Sequence, residues 1–310
     1  MTTGQRRFAS YAWGVLAFSV LVVLWGTFVR ATGSGAGCGS HWPLCKGEII
    51  PRSPAVATVI ELTHRLTSGV AFALVVGLVV AAWRMYPAGH TVRRWATLSG
   101  IFMVSEALVG AGLVLLELVG QNTSNARGFW VAGHLVNTFV LIACLTLTAR
   151  WASSTAPPRL PRERMLLPVL GVGVVGVLGL GMSGAVTALG DTLFPAANLA
   201  EATAQTFSET AHFFVRLRVW HPTLAMLVGG YLVFASLYAA GTMRNRPTTR
   251  LALGLLALYG IQLSIGVLNV WWLAPVSVQI VHLLFSDLVW IVLILLLASC
   301  LIPSQEAAPV

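Results

Sequence analysis

A carboxylate and an imidazole lie three residues apart in the segment VIELTHRLTSG, residues 59–69, as Glu61 and His64. On a helix this spacing places both side chains on one face, one turn apart. A carboxylate can accept a proton, position a water molecule or stabilise positive charge, and an imidazole can ligate a metal. The pair therefore predicts a site that combines a metal ligand with an acid or a base. A simpler interpretation remains open, in which Glu61 caps the helix or pairs with Arg65 four residues on.

Three more histidines stand at the start of apolar segments, in the same position as His64. They are His134, His221 and His282. The other histidines, His41, His90 and His212, fall in predicted loops, and we interpret them as ordinary surface residues. Four histidines at matched depth in separate helices predict ligands that act in pairs.

The elements that carry these histidines are predicted to be membrane helices. Of the 310 residues, 57% are hydrophobic and 9% are charged, against about 25% charged in soluble domains. Apolar runs long enough to cross a bilayer occur near residues 10–29, 63–85, 93–116, 129–150, 165–186, 219–241, 250–271 and 276–302. The sequence thus predicts an all-α, polytopic membrane protein with eight transmembrane helices.

Arginines predict the orientation of these helices. They are more frequent in the loops around residues 84–94, 150–164 and 244–250 than in the loops on the opposite side. Because short loops rich in Lys and Arg stay in the cytoplasm, both termini are expected to be cytoplasmic, in a bacterial plasma membrane. The net charge of +9 then reflects topology and contacts with anionic lipids, and no nucleic-acid partner is expected.

The two halves of the chain resemble each other. GTFVRATG at 26–33 matches SGAVTALG at 183–190, and EALVGAG at 106–112 matches QLSIGVL at 262–268. His64 then corresponds to His221, and His134 to His282. Each half contains four predicted helices, so both keep the same orientation in the membrane. We expect two pseudo-symmetric four-helix bundles, residues 1–150 and 165–310, joined by a cytoplasmic linker at 151–164.

Two imidazoles that face each other across a four-helix bundle form an axial pair for a haem iron. A zinc or copper site would need a third or fourth ligand, which neither bundle offers. Small residues such as Gly69, Gly110, Gly112 and Gly266 would allow close approach of a macrocycle or simply of another helix. The residue equivalent to Glu61 in the second half is Arg218. An extra acid or base is therefore expected beside the first haem only.

Other polar side chains allow more than one role. Arg65, Arg216 and Arg218 lie near the outer surface and can bind haem propionates, or extend to the interface as arginines at helix ends do. Glu106, near the middle of the third helix, aligns with Gln262, and its role is left open. Asp287 in the eighth helix is a similar, weaker case.

Cys38 and Cys45 are in the first external loop. That side of the membrane is oxidising, so a disulfide and two unpaired thiols both remain open at this stage. Cys144 and Cys300 lie within apolar helices and are interpreted as small core residues.

These features together resemble the haem A synthase family. The resemblance covers all eight predicted helices and rests on GTFVRATGSGAGCGSHWPLCKGEIIP, ELTHRLTSG, GHLVNT, VWHP and IVHLLFSDL. It implies an enzyme that oxidises the C8 methyl of haem O to the formyl group of haem A through hydroxylated intermediates. Its implied partners are haem O, membrane lipids, a haem O synthase and an electron acceptor or donor, with a homo-oligomer left open.

The resemblance also implies roles for individual residues. His64 and His134 would hold the substrate haem, and His221 and His282 would ligate a haem b cofactor. Glu61 would be the catalytic carboxylate. Cys38 and Cys45 match an outer-loop pair implicated in disulfide-dependent function. Some members carry a second cysteine pair before the sixth helix, whereas residues 187–218 contain no cysteine here.

Two other functions fit parts of the pattern. A diheme b-type electron-transfer cytochrome that oxidises quinol would explain the four histidines without Glu61 or the cysteine loop. A transporter built from parallel repeats would require broken helices with polar residues near the middle of the membrane.

Overall fold

The computed structural model describes residues 1–155, 157–161 and 163–301. Over these residues the chain folds into nine α-helices with no strand. Their bounds are α1 Thr3–Ala31, α2 Val56–Met85, α3 Thr91–Leu115, α4 Asn125–Ala152, α5 Leu166–Leu193, α6 Leu199–Phe207, α7 Phe213–Met243, α8 Arg246–Trp271 and α9 Val276–Ser299. All except the short α6 are long and apolar enough to cross a membrane. The prediction of an all-α, multi-pass membrane protein is therefore confirmed.

Several helices begin earlier than the hydropathy of the sequence predicted. Helix α2 starts at Val56 rather than near 63, α4 at Asn125 rather than near 129, and α7 at Phe213 rather than near 219. Apolar runs end where polar residues begin, but a helix satisfies its own backbone and continues past that point. The short helix α6 was not predicted. It starts at Leu199 and is capped by Asn198, whose side chain accepts a hydrogen bond from Glu201 N.

The helices pack as two rings. In the first, α1 contacts α2, α2 contacts α3, α3 contacts α4 and α4 returns to α1; α5, α7, α8 and α9 form the second. The rings meet where α4 packs on α5 and α9, and where α1 packs on α9 and α5. The assignment of 1–150 and 165–310 as separate domains stays a prediction. Residues 156 and 162 of the expected linker, and 302–310 of the second expected domain, lie outside the described residues.

The interface between α4 and α9 is centred on Trp290. Its indole is fully buried, its Nε1 donates a hydrogen bond of 2.7 Å to Phe139 O, and its ring stacks on that of Phe139 at 5.2 Å between centroids. Burying a tryptophan is favourable only when its N–H has a partner. This contact therefore contributes both apolar burial and a hydrogen bond between the two rings of helices.

Arg30 forms a second link between the rings, near the end of α1. Its guanidinium donates to Ala188 O at 2.7 Å, to Thr192 Oγ1 at 2.9 Å and to Gln279 Oε1 at 2.8 Å. These acceptors belong to α5 and α9. A buried guanidinium is costly unless several donors are satisfied, so Arg30 holds three helices at a defined separation.

Replacing Trp290 with Phe is expected to destabilise the protein by at least about 1 kcal/mol, because a buried hydrogen bond is lost and a cavity is left. The measurement is thermal unfolding of the purified protein in detergent. Trp220→Phe is the matched control, since Trp220 is 61% exposed. Equal midpoints for the two variants would contradict the importance of the interface between α4 and α9.

Candidate functional site

A disulfide-closed loop packs against the N-terminal end of α2. Cys38 and Cys45 are joined in a disulfide and are fully buried. The backbone N–H of Cys38 donates to Glu61 Oε2 at 2.8 Å, and Thr58 Oγ1 donates to Gly37 O at 2.7 Å. Of the two states left open for these cysteines, the disulfide is therefore the one observed. The loop is attached to α2 through the side chain of Glu61.

Arg65 completes this attachment. Its guanidinium forms an ion pair with Glu61 Oε1 and donates to His41 O at 2.7 Å and to Leu44 O at 2.8 Å. The simpler interpretation, in which Glu61 pairs with Arg65, is thus observed. Because Glu61 is only 4% exposed, its negative charge is buried, paired and located directly under the disulfide loop. Its catalytic role stays a prediction.

The first histidine pair lies deeper than expected. His64 is the ninth residue of α2 and His134 the tenth of α4, not in the first turn or two. In the second half, His221 is the ninth residue of α7 and His282 the seventh of α9. At 1.5 Å per residue, all four stand roughly 9 to 14 Å from the start of their helices. The four positions along their helices are similar, as predicted. Placement within the first turn or two was wrong for His64, His134 and His221, because α2, α4 and α7 start earlier than predicted, whereas α9 starts where it was expected.

In the first bundle His64, His134 and Glu106 are brought together. His64 interacts electrostatically with both His134 and Glu106. Glu106 Oε1 lies 3.4 Å from His134 Nδ1, and the carboxylate accepts hydrogen bonds of 2.5 Å from Asn137 Nδ2 and from Thr138 Oγ1. The sequence marked Glu106 as an unusual polar residue but not as a partner of His134, because nothing in its spacing relates α3 to α4.

In the second bundle the rings of His221 and His282 face each other, with centroids 6.5 Å apart and planes at 82°. Ser183 Oγ lies 2.9 Å from His221 Nδ1 and itself donates to Leu180 O at 2.8 Å. The serine lone pairs therefore face Nδ1, which favours the tautomer whose Nε2 is free to bind a metal. Gln262 Nε2 stands 3.3 Å from His282 Nε2, where an amide donor uses the same nitrogen lone pair that a metal would take.

A glycine lies against each of these four imidazoles. A Cβ added to Gly26 would lie 3.0 Å from His64 Cε1, and one added to Gly184 would lie 2.8 Å from His221 Cε1. Gly266 and Gly110 approach His282 and His134 in the same way, at 3.2 and 4.0 Å. The sequence pointed to Gly110 and Gly266 but missed Gly26. Of the other expected glycines, Gly69 faces open space and Gly112 packs on Trp130.

This arrangement fits a metal bound between two imidazoles. Metal–nitrogen bonds of about 2 Å hold two axial rings roughly 6 Å apart between centres, close to the separation of His221 and His282. Within the described ranges no group of three His, Cys, Asp or Glu side chains could hold a metal ion by itself. In addition, the Nδ1 atoms of His64, His134 and His282 are buried without a hydrogen-bond partner among the described residues. The donor set therefore suits a two-ligand metal macrocycle rather than a bare ion.

The arginines expected near propionates already have protein partners. Arg218 donates to Asp191 Oδ1 and Phe194 O, both at 2.7 Å, and to Gln205 Oε1 at 3.1 Å. Arg216 is exposed and donates to Ala211 O and Glu209 O, while Arg65 binds Glu61. A role in binding propionates stays a prediction for all three. The sequence also missed Arg30, whose position at the end of an apolar run gave no sign of its partners in α5 and α9.

The remaining histidines play structural roles. His90 and His212 are half-buried N-caps of α3 and α7, with Nδ1 accepting from Val92 N and Phe214 N, rather than surface residues. Burial lowers the pKa of His90, which keeps the Nδ1 lone pair available for the cap. His41 is exposed in the disulfide loop, where its carbonyl binds Arg65.

Fold and site together define a multi-pass helical membrane protein with two inward-facing histidine pairs. The chain matches the family described as cytochrome oxidase assembly protein over residues 9–294. It is 28% identical over 316 residues to a protein of Bacillus cereus AH187 named heme A synthase, covering 99% of this chain and 98% of that protein. The chain belongs to the haem A synthase family.

Relatives with a different name match at higher identity. The chain is 51% identical over 301 residues to a Thermus thermophilus protein named protoheme IX farnesyltransferase, and 50% identical to its counterpart in a second strain of the same species. These matches cover 97% of this chain but 49% of each relative. The chain thus spans about half the length of these curated relatives.

Replacing Arg65 with Ala is expected to release the disulfide loop, because three acceptors lose a charged donor. Hydrogen bonds from charged groups contribute about 1.5–3 kcal/mol, so backbone hydrogen exchange in residues 39–48 should accelerate about tenfold or more. The measurement is hydrogen–deuterium exchange by mass spectrometry. The exposed Arg52 provides the control Arg52→Ala, and identical loop protection in both variants would contradict the anchoring role of Arg65.

Proposed function

We propose that the chain is a haem A synthase, an oxidoreductase that converts the C8 methyl of haem O to the formyl group of haem A through hydroxylated intermediates. One observation carries this proposal. The two halves present equivalent histidine pairs, but only the first half has carboxylates, Glu61 and Glu106, at the two repeat-related positions near its histidines. The equivalent positions in the second half hold Arg218 and Gln262. One site is therefore equipped for chemistry on its ligand and the other for holding a cofactor.

The assignment of the two sites follows from this asymmetry. His64 and His134 would bind the iron of haem O, the substrate. His221 and His282 would hold haem b, which supplies a one-electron redox centre. The four neighbouring glycines leave the imidazoles room to meet a flat macrocycle. Full-length similarity to proteins named heme A synthase supports the same assignment.

The contacts of Glu61 favour some catalytic roles of its carboxylate over others. Oxidising a methyl group on a porphyrin develops positive charge at that carbon, which a nearby fixed carboxylate stabilises. Both oxygens of Glu61 already accept hydrogen bonds, from Arg65 and from Cys38 N. These bonds favour an electrostatic or water-positioning role over abstraction of a proton. Through the same bonds, the disulfide loop covers the outer side of the site and limits access of bulk water.

The relatives named protoheme IX farnesyltransferase raise the question of whether this chain also transfers a farnesyl group. Transfer of a farnesyl group from its diphosphate commonly uses Mg²⁺ bound by carboxylates and phosphates. Among the described residues, no group of three His, Cys, Asp or Glu side chains could hold a metal ion. We infer that farnesyl transfer belongs to the part of those relatives that this chain does not span. Farnesylation of protohaem yields the proposed substrate, so a haem O synthase is a fitting functional partner.

The proposed setting is a bacterial plasma membrane with both termini in the cytoplasm. In this orientation the histidine pairs and the disulfide loop lie in the outer half of the protein, where the disulfide is stable. A haem held by His221 and His282 would give electrons from the substrate site a place to go, and an acceptor outside the chain would be needed to remove them.

The chief alternative is a diheme cytochrome that transfers electrons without modifying its haems. The test is to express the chain beside a haem O synthase in a host that lacks haem A, and to identify the extracted haems by mass spectrometry. Haem A, or its hydroxylated intermediate, together with haem b is the expected result. Recovery of haem b alone would favour the electron-transfer cytochrome, and recovery of no haem would overturn both functions.

Replacing Glu61 with Gln is expected to lower the formation of haem A about 100-fold or more, because the charge is lost at the reacting carbon. The amide oxygen can still accept from Cys38 N, so haem content should remain unchanged. The measurement is the ratio of haem A to haem O per polypeptide in the expression test. Arg65→Ala separates the two roles of Glu61, since it frees the loop but keeps the carboxylate. Equal losses in both variants would assign Glu61 to holding the loop.

Replacing Gly184 with Ala is expected to remove haem from the second site, because the new Cβ would force His221 to move. Loss of ligand orientation typically lowers metal affinity about 10–100-fold. The pyridine haemochrome assay of the purified protein measures the haem content. Gly179→Ala in the same helix is the control, since no atom lies within 4 Å of its added Cβ. Full haem content in Gly184→Ala would contradict a haem bound by His221.

A further inference from the structure

Glu106 of α3 is enclosed by one face of α4. Its carboxylate accepts from Asn137 Nδ2 and Thr138 Oγ1, both at 2.5 Å, and lies 3.4 Å from His134 Nδ1. Residues 134, 137 and 138 are spaced i, i+3 and i+4 and so share a helix face. A carboxylate in an apolar bundle is expensive unless its oxygens are satisfied, and this face satisfies both of them.

The orientation of the Asn137 amide is fixed as well. Its Oδ1 accepts from Ser105 Oγ at 2.5 Å, so its Nδ2 points at Glu106 and at Phe102 O. The carboxylate therefore cannot turn away from His134 without breaking a hydrogen-bonded network. An ordered group of this kind resembles the outer ligand shell of a metal site, where a carboxylate receives the second N–H of a metal-bound histidine.

The contact also determines which nitrogen of His134 can bind a metal. A carboxylate is an acceptor, so the nitrogen that faces it carries the proton. Among the described residues Nδ1 of His134 is buried without a hydrogen bond of standard geometry, and Glu106 Oε1, at 3.4 Å, is the acceptor that it faces. The lone pair is then on Nε2, the nitrogen that remains for the metal.

The second bundle lacks this arrangement. The repeat places Gln262 at the position of Glu106, and its neutral amide approaches His282 at Nε2 rather than Nδ1. His221 has a neutral partner, Ser183. Within the part of the chain that the structure describes, His134 is thus the one histidine of the four with a carboxylate at its Nδ1.

We propose that Glu106 is a positioning residue that makes the first haem site different from the second. By accepting the Nδ1 proton of His134, it holds the imidazole with Nε2 directed at the iron and makes that imidazole a stronger electron donor than His282. This inference rests on the proposed function, in which His64 and His134 bind the substrate haem. A more electron-rich iron favours its oxidised state, which suits a site whose substrate must lose electrons.

The test is a reciprocal exchange, Glu106→Gln and Gln262→Glu. The protein is purified from a host that makes only haem b, and ferric haem O is titrated into it anaerobically, followed by its absorbance. Glu106→Gln is expected to weaken the binding of haem O about 10–100-fold and to shift the reduction potential of the haem O that binds upward. Gln262→Glu is expected to shift the potential of haem b downward and to leave the binding of haem O unchanged.

A purely structural role is separated from positioning by Thr138→Val. This variant removes one hydrogen bond to Glu106 but keeps the charge next to His134. It is expected to lower thermal stability without raising the potential of bound haem O. The haem b spectrum reports folding in every variant, and the reciprocal change at Gln262 tests the proposal even where Glu106→Gln folds poorly.

The outcomes for Glu106 and for the proposed function are distinct. Uptake of haem O by the unchanged protein, with equal affinity and potential in Glu106→Gln, would overturn the role of Glu106 and leave the function standing. An upward shift in Thr138→Val as large as that in Glu106→Gln would also overturn it. If the unchanged protein takes up no haem O, the substrate site itself fails, and the inference about Glu106 fails with it.

Discussion

Hydrocarbon offers no hydrogen-bond partner, so polar side chains within the membrane-spanning helices depend on partners in the chain. The main features of the structure follow from how this constraint is met. Arg30 uses carbonyl and side-chain oxygens of two other helices, Glu61 uses Arg65 and a loop amide, and Glu106 uses one face of α4. In each case the pairing that removes the cost of burial also fixes the relative position of two or more elements. The same contacts that make these groups tolerable in the membrane therefore build the site.

The two halves differ in the polar side chains that they place in their membrane-spanning helices. Both place imidazoles against glycines at similar depth, as expected of a duplicated bundle. The first half then adds charge, with Glu61 beneath a disulfide loop and Glu106 beside His134. The second half uses the neutral Ser183 and Gln262 next to its histidines. Its Asp191 is paired with Arg218, and its Asp287 is buried without a hydrogen-bond partner among the described residues. The two halves therefore share a similar arrangement of helices and histidines, and different residues at a few equivalent positions give them different electrostatics.

The sequence predicted the features that depend on local patterns. Long apolar runs indicated the eight membrane helices, and the repeat paired His64 with His221 and His134 with His282. It did not predict where α2 and α7 begin, because those turns are polar and leave no hydropathy signal. Nor did it predict the partners of Arg30 or the contact between Glu106 and His134, since these join residues from helices whose relative rotation is set by packing. Gly26 was missed for the same reason, because a glycine in a membrane helix indicates only general small-residue packing until its neighbour is known.

The link made by Arg30 has a consequence for the distance between the two histidine pairs. Arg30 stands one turn beyond Gly26, which touches His64, and its acceptor Gln279 stands one turn before His282. The path from one pair to the other thus runs through two short helical segments and a single guanidinium, with no loop between them. Electron tunnelling falls steeply with separation, so a rigid path of this kind acts as a spacer. Together with the contacts of α4 with α5 and α9, it would fix the separation of any two redox groups held by these histidines, independently of the motions of the loops.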